Sequence, residues 1–434
     1  MADLKLNNDT SFSDFPEDVQ LCILSFLTPS DISSFSLTSK RFLSLCETDD
    51  KLWLSMCDRR WGRNTDIKKW GNGQIQFKLL YKTLNRWDDL IGFWRISGGI
   101  SSTPPLIFFE WGSSFITASR VSPSKLGNYQ VVKTPFLWMG VSPRGEIVNF
   151  IDPDCRFESS CDFVKAAELG GGSDNDLVSV NVSFMGKNHV VVEENKTLFY
   201  SSSPHGMDEE DVNGGSSIES SSPPDRLRSE IYQYFANRTS PNGDRASRRQ
   251  RKKERERLGR RKWEPEHFVK IGHSAPTASR PLQGLWKGIC EDMSLDFYLV
   301  SHDDIGGIVC RKLGQASDPF SGYSPVFWTP NTTFTDSPFG ADEEYLYDSR
   351  THLSPPDTVT PYMENGTVTR SLSINSSYDL VIPGSSVNPR HGEGRIWLYA
   401  NGTFGFGFFR NNFIVDLKPI ALNGCLVDTV EKLL

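Results

Sequence analysis

The sequence has no pair of cysteines at Cys-x-x-Cys spacing, no His-Glu-x-x-His, and no apolar run approaching the roughly 18 residues of a membrane helix. Its eight cysteines keep no even spacing. Cys155 and Cys161 are the nearest pair outside the N-terminal stretch, and nothing beside them completes a zinc set, so reduced intracellular thiols are expected. The seven histidines are scattered. His302, next to Asp303 and Asp304, reads as part of a solvated turn, and neither a metal nor a cofactor is expected. Gly170-Gly171-Gly172-Ser173 is not followed by Lys-Ser/Thr, which excludes a phosphate loop, and no Gly-x-Ser-x-Gly elbow occurs. The carboxylate pairs Glu193-Glu194 and Glu343-Glu344 are adjacent, and neighbours on a strand point to opposite faces, a poor geometry for acid–base work. No catalytic constellation emerges, so the chain does not read as an enzyme. The opening MADLKLNNDT has neither a basic nor an apolar region of a signal peptide. A net charge of −7 sets up no global attraction for nucleic acid or an anionic membrane. A soluble protein of the nucleus and/or cytoplasm is expected.

What the chain does have is core-forming material: 37% hydrophobic residues, with 28 Phe and 11 Trp, over a length of 434 that fits two or three domains. The stretch from Phe15 to Gly62 organises the rest. Asp14 precedes Phe15-Pro16-Glu17-Asp18, and Thr28-Pro29-Ser30-Asp31 repeats the device of a cap, an early Pro and a first-turn acid. Ser39 and Asp49 can cap two further helices. In the first helix Val19, Ile23, Phe26 and Leu27 follow the stripe of a core face. Leu21, Cys22 and Leu24 add apolar surface on other sides. A helix apolar all round must be covered on more than one face, and a unit this small offers little core of its own. It is either a subdomain packed on the chain or a module with a partner protein on its spare face.

These residues resemble the F-box family over roughly the first sixty positions. Its opening Leu-Pro-x-Glu, followed by Ile-Leu and Leu, resembles Phe15-Pro16-Glu17 with Ile23-Leu24 and Leu27. The following block resembles Pro29, Asp31 and Ile32, and Ser-Lys-x-Phe matches Ser39-Lys40-Arg41-Phe42. Leu52-Trp53 with Cys57 closes the pattern. Phe15 and Ile32 stand where Leu is usual, swaps that keep volume. The resemblance implies binding to the Skp adaptor, and through it a cullin, in a ubiquitin ligase. Phe15, Pro16, Val19, Ile23, Leu24, Leu27, Pro29, Leu37 and Trp53 are the residues expected to bind the adaptor or to hold that surface together.

One more helix is expected near 74–85, and from Asp88 the period becomes strand-like. Val178, Val180, Val182 and Phe184 share one face while Ser179, Asn181 and Ser183 share the other. Ser142–Gly145 reads as a turn, and Asn401-Gly402 between two apolar runs is a strong hairpin signal. From about Ser201 to Pro281 the composition turns polar and then basic, which argues for disorder. The run 245–262 is dense in Lys and Arg against Glu254 and Glu256. It reads as a solvated linker or, through Arg248, Arg249, Arg251, Lys252 and Lys253, a nuclear import signal. A nucleic-acid arm is the weakest reading because no aromatics interleave the run. The expected organisation is a tail over 1–11, an F-box helical module over 12–62, a linker helix over 63–87, β-barrel segments over 88–200 and 282–420, and a tail over 421–434. The insertion at 201–281 divides the barrel, and long loops occupy 314–367. The fold class is α+β, all-α helices followed by an antiparallel barrel-like domain.

Two stretches look alike, Leu90-Ile91-Gly92-Phe93-Trp94-Arg95 and Leu282-Gln283-Gly284-Leu285-Trp286-Lys287. Gly-x-Trp at a strand start is similar to the lipocalin signature, which implies that Trp94 and Trp286 plug a barrel end. The second copy also resembles, over part of the C-terminal region, the substrate barrel of F-box only protein thirty-one and its relatives, and that resemblance implies capture of peptide tails. The expected function is recruitment of an unknown protein target through the barrel for ubiquitination. The alternatives are a ligand-gated small-molecule barrel and a basic-arm RNA-associated protein.

Overall fold

A computed structural model describes residues 11–97, 106–124, 128–152, 178–195, 264–272, 275–303, 306–313, 323–353, 366–376, 392–422 and 424–431. The N-terminal helices are α1 (Glu17–Leu24), α2 (Pro29–Ser36), α3 (Lys40–Cys46), α4 (Leu54–Trp61) and α5 (Phe77–Trp87). Two starts follow the caps in the sequence, those of α2 and α3; α1 begins after Pro16 with no side-chain cap, Asp14 instead accepting from the Ser11 N–H at 2.8 Å in the turn before it, and α4 begins after Trp53 with none. The Thr28 hydroxyl accepts from the Asp31 N–H at 3.2 Å while the Asp31 carboxylate accepts from the Thr28 N–H at 3.3 Å, a reciprocal capping box with Pro29 at the first helical position. Ser39 caps α3 through the Phe42 N–H.

Antiparallel strands follow: β1 (Gly92–Ser97), β2 (Leu106–Trp111), β3 (Ile116–Pro123), β4 (Val131–Val141), β5 (Ile147–Ile151), β6 (Val178–Phe184), β7 (His189–Glu194) and β8 (Glu266–Lys270). Each pairs with its successor, and β8 returns to pair with β1, so the sheet closes. Pro135 falls inside β4, where it cannot donate to a ladder; the register shifts at that point, opposite Ala118 and Ser119. Alternation sends Trp94, Ile107, Phe109, Val190, Val192 and Phe268 inward, and they fill the barrel with side chains.

A second sheet uses β9 (Gly284–Ile289), β10 (Leu295–His302), β11 (Ile308–Leu313), β12 (Tyr323–Thr329), β13 (Thr335–Asp336), β14 (Thr351–Leu353), β15 (Val368–Ser376), β16 (Gly392–Tyr399), β17 (Phe404–Phe408) and β18 (Phe413–Pro419). Its order, β12-β11-β10-β9-β18-β17-β16-β15-β13, curls until β12 and β15 approach each other, bridged by the Thr329 hydroxyl donating to the Ser373 carbonyl at 3.1 Å. Helix α6 (Ala341–Asp348) and β14 lead onto the outside of this sheet, β14 lying parallel to β18.

The antiparallel barrel architecture is as expected, but there are two such sheets rather than one divided barrel. The first is completed by Glu266–Lys270, inside the stretch assigned to the insertion, and the second begins afresh at Gly284. His267 and Val269 face outward, and Lys270 shares the side of Phe268, opposite Trp94; only Phe268 and Val269 are apolar, and this polar composition hid the strand. Likewise 314–367, read as loops, contributes β12, α6 and β14. The two sheets lie back to back. Phe93, Leu106, Phe108 and Val121 on the first pack with Leu285, Leu295, Phe297 and Leu299 on the second. The C-terminal segment ties them: β19 (Ala421–Leu422) and β20 (Cys425–Leu426) make a hairpin, and β21 (Thr429–Glu431) pairs parallel to β4.

Candidate functional site

Helix α1 carries the exposed apolar surface. Its inward face is Gln20, Leu21 and Leu24. Val19 and Ile23 are about two-fifths exposed and Phe26 is 70% exposed, so the stripe expected to face the core faces solvent. Gln20 accounts for the inversion: its side-chain amide is buried and donates to the Phe12 and Phe15 carbonyls at 2.9 and 2.8 Å. A polar residue on the inner face, paid for by two hydrogen bonds, disguises that face in the sequence.

Phe12, held this way, packs against Phe35 and Phe42 with ring centroids 5.4 and 5.8 Å apart, joining the N-terminal turn to α2 and α3. Phe15, Pro16, Val19, Ile23, Pro29 and Leu37 are exposed, Leu37 at 86%. Leu27 is half-buried against the core. Leu24 and Trp53 lie inside, and the Trp53 indole donates to the Cys46 carbonyl at 3.1 Å. Phe26, expected on the core-facing stripe, and Leu43 add to the exposed surface beyond the residues expected to bind the adaptor; Arg59 lies over the Phe26 ring at 4.7 Å. Lys51 pairs with Glu17 and Asp18 across the start of α1.

This surface is held rigidly to the first barrel. Arg60 on α4 donates to Asn85 at 2.7 Å and Asp88 at 2.9 Å, and the Trp61 indole donates to the other Asp88 oxygen at 3.1 Å. Burial alone would lower the Arg60 pKa, but Tyr81 and Asp88 hold it above the ordinary arginine value. Trp61, Trp70 and Trp111 form an aromatic seam between helices and barrel, and the Thr65 hydroxyl and Asp66 N–H both donate to the Ser113 carbonyl in the β2–β3 turn. One apolar core runs from Leu21 and Leu24 through Trp87 into Phe109 and Phe268.

Trp94 and Trp286 occupy equivalent places at the starts of the two sheets. Both are buried, and each indole donates to the carbonyl four residues upstream, Leu90 at 2.6 Å and Leu282 at 2.9 Å. Gly92 and Gly284 take φ of +116° and +137°, values that L side chains rarely adopt. A cavity of about 300 Å³ at the Gly-x-Trp end of the second sheet is lined by Arg280, Leu282, His302, Asp303, Ile308 and Phe334. Arg248, Arg249, Arg251, Lys252 and Lys253 lie outside the described residues. Among the described residues no three His, Cys, Asp or Glu side chains gather as metal ligands would.

Residues 12–59 match the family model described as F-box-like. An F-box protein of Arabidopsis thaliana is 51% identical over 430 residues, which span 97% of this chain and 98% of the relative.

Proposed function

Because this chain belongs to the F-box protein family, we propose that it is the substrate-recognition subunit of a Skp–cullin–F-box ubiquitin ligase. The observation that carries the reading is the exposed apolar face of Phe15, Val19, Ile23, Phe26 and Leu37 on a helical unit that shares its core with a barrel. An apolar face of this kind on an otherwise polar helix surface is an interaction site. In this reading the Skp adaptor covers that face and brings the cullin. The two β-sheets present a protein target to the ubiquitin-conjugating enzyme. The subunit does no bond chemistry; tethering raises the effective concentration of target lysines, and a rigid connection preserves that gain because little orientation is lost between the ends. The complex works in the nucleus and/or cytoplasm, and the basic residues 248–253 serve nuclear import.

The test is affinity purification of the intact chain from cells with the proteasome blocked, beside an Ile23→Asp version. Recovery of adaptor and cullin with wild type and their loss with Ile23→Asp supports the reading. Adaptor recovered equally with both proteins, or with neither, overturns it. Proteins retained by both are target candidates.

A further inference from the structure

The turn between β17 and β18 carries a cationic collar around an exposed aromatic ring. Phe409 is 39% exposed at its tip, with the Arg395 and Arg350 guanidinium carbons 5.2 and 5.9 Å from its ring centroid. Arg410, exposed, lies 5.3 Å over the neighbouring Phe408. Arg350 is only 9% exposed and is a buried cation with no carboxylate at ion-pair distance among the described residues. Its Nη1 donates to the Leu346 carbonyl, and its buried Nε has no acceptor. Glu343 is engaged by Arg395 at 3.0 Å, and Glu393 is exposed in the same ladder. Glu343 also acts on Arg350 through space, and its Oε1 is buried with no hydrogen-bond partner; the other carboxylates of the helix before Arg350, Asp342, Glu344 and Asp348, are exposed to solvent. A buried guanidinium with no carboxylate at ion-pair distance is unfavourable; desolvation lowers the Arg350 pKa, and the charge of Glu343 offsets part of that.

We propose that the Arg350–Arg395–Phe409–Arg410 rim of the second sheet docks an acidic segment of a target protein, with an apolar residue of that segment on Phe409. The proposal rests on the receptor reading above and gives the target its chemistry. Charge complementarity selects the occupant, since carboxylates take guanidinium forks bidentately and would give Arg350 and Arg410 the ion-pair partner that neither has among the described residues. Arginine beside an exposed aromatic is also the composition of binding hot spots. A nucleic acid fits less well. The chain carries a net −7 that repels a long polyanion.

The test uses the full chain and a fluorescent oligoglutamate peptide, read by anisotropy at low salt. Wild type is expected to bind, Arg410→Glu and Phe409→Ser each to weaken binding tenfold or more, and Arg410→Lys to retain most of it. Unchanged circular dichroism and thermal midpoint show that the variants are folded; both substituted positions are exposed. Four results overturn the proposal: no binding by wild type, equal binding by the variants, loss only when residues 248–253 are neutralised, or tighter binding of oligouridylate at the same residues. Adaptor capture by the same variants separates the two ideas. It stays intact if only the docking site is wrong, and it is absent from wild type if the receptor reading is wrong.

Discussion

Ile23 and Leu24 are neighbours in sequence and opposite in destination: Leu24 is 1% exposed in the helical core, while Ile23 is 42% exposed on the outer face of α1. A turn of 100° per residue separates adjacent side chains enough to place one in each environment. The pair looks like a single motif in the sequence, yet one residue holds the fold and the other is available for contact.

Substitution at the two positions should therefore separate. Leu24→Ala should destabilise the helical unit by about 2–5 kcal/mol, the range for buried Leu to Ala. Ile23→Ala should leave the thermal midpoint within about a degree or two and still weaken adaptor binding several-fold. Thermal denaturation beside an adaptor pull-down checks both; equal stability losses would mean that Ile23 is structural.

The two Gly-x-Trp starts should behave alike. Trp94→Phe or Trp286→Phe leaves the Leu90 or Leu282 carbonyl without its donor and opens a small void, an expected loss of about 1–3 kcal/mol in each case. Gly92→Ala tests the backbone alone, because a Cβ there meets nothing closer than Lys270 at 4.0 Å. Its expected loss is about 1–3 kcal/mol from the positive φ. Urea titration followed by tryptophan fluorescence reads each transition; a silent Gly92→Ala would exclude backbone conformation as the reason for glycine.

The repeat of Gly-x-Trp was legible, but it could not say whether two starts belong to one sheet or two. Long-range pairing decides that, and β8, which closes the first sheet, is short and has only two apolar residues, Phe268 and Val269. Strands with clean alternation such as Val178–Phe184, and turns with their own chemistry such as Asn401-Gly402, were visible because local sterics specify them. Helix α6 was hidden among Pro, Ser and Asp because it is amphipathic only weakly; Leu346 and Tyr347 hold it on Trp397, Tyr399 and Ile414. At the candidate site the apolar residues were legible and their orientation was not, since Gln20 reverses the faces through bonds to Phe12 and Phe15.

Asp416 is the anchor of the outer layer on the second sheet. Its carboxylate accepts from the Tyr399 hydroxyl at 2.6 Å and pairs with His352 Nδ1 at 2.8 Å, tying β14 to β16 and β18. Gly405 makes room, since a Cβ there would stand 2.5 Å from the Tyr399 oxygen. Asp416→Asn turns one accepting oxygen into a donor and should lose about 1–3 kcal/mol; Tyr399→Phe should lose about 0.5–1.5. The double variant should lose less than the sum, because both remove the same bond. Additive losses in urea denaturation would show that the two act separately.

Lys287 gives the pH dependence a sign. Its side chain is fully buried between the sheets, and its ammonium donates to Asp428 at 2.8 Å and to the Val427 carbonyl at 3.2 Å. Burial lowers its pKa, and the bond to Asp428 only partly offsets that. Between the depressed folded value and about 10.4, the unfolded chain holds the proton that the folded chain releases, so this group makes stability rise with pH. The deficit is fully present at neutral pH and lifts as pH climbs through that window. Lys287→Met keeps the length and removes the titration; Asp428, half exposed, stays solvated without its partner. The variant should be neutral to stabilised by about 1–2 kcal/mol at pH 7, with the difference from wild type shrinking toward pH 10. Urea midpoints of both proteins at several pH values check this, and a difference that grows with pH would reverse the assignment.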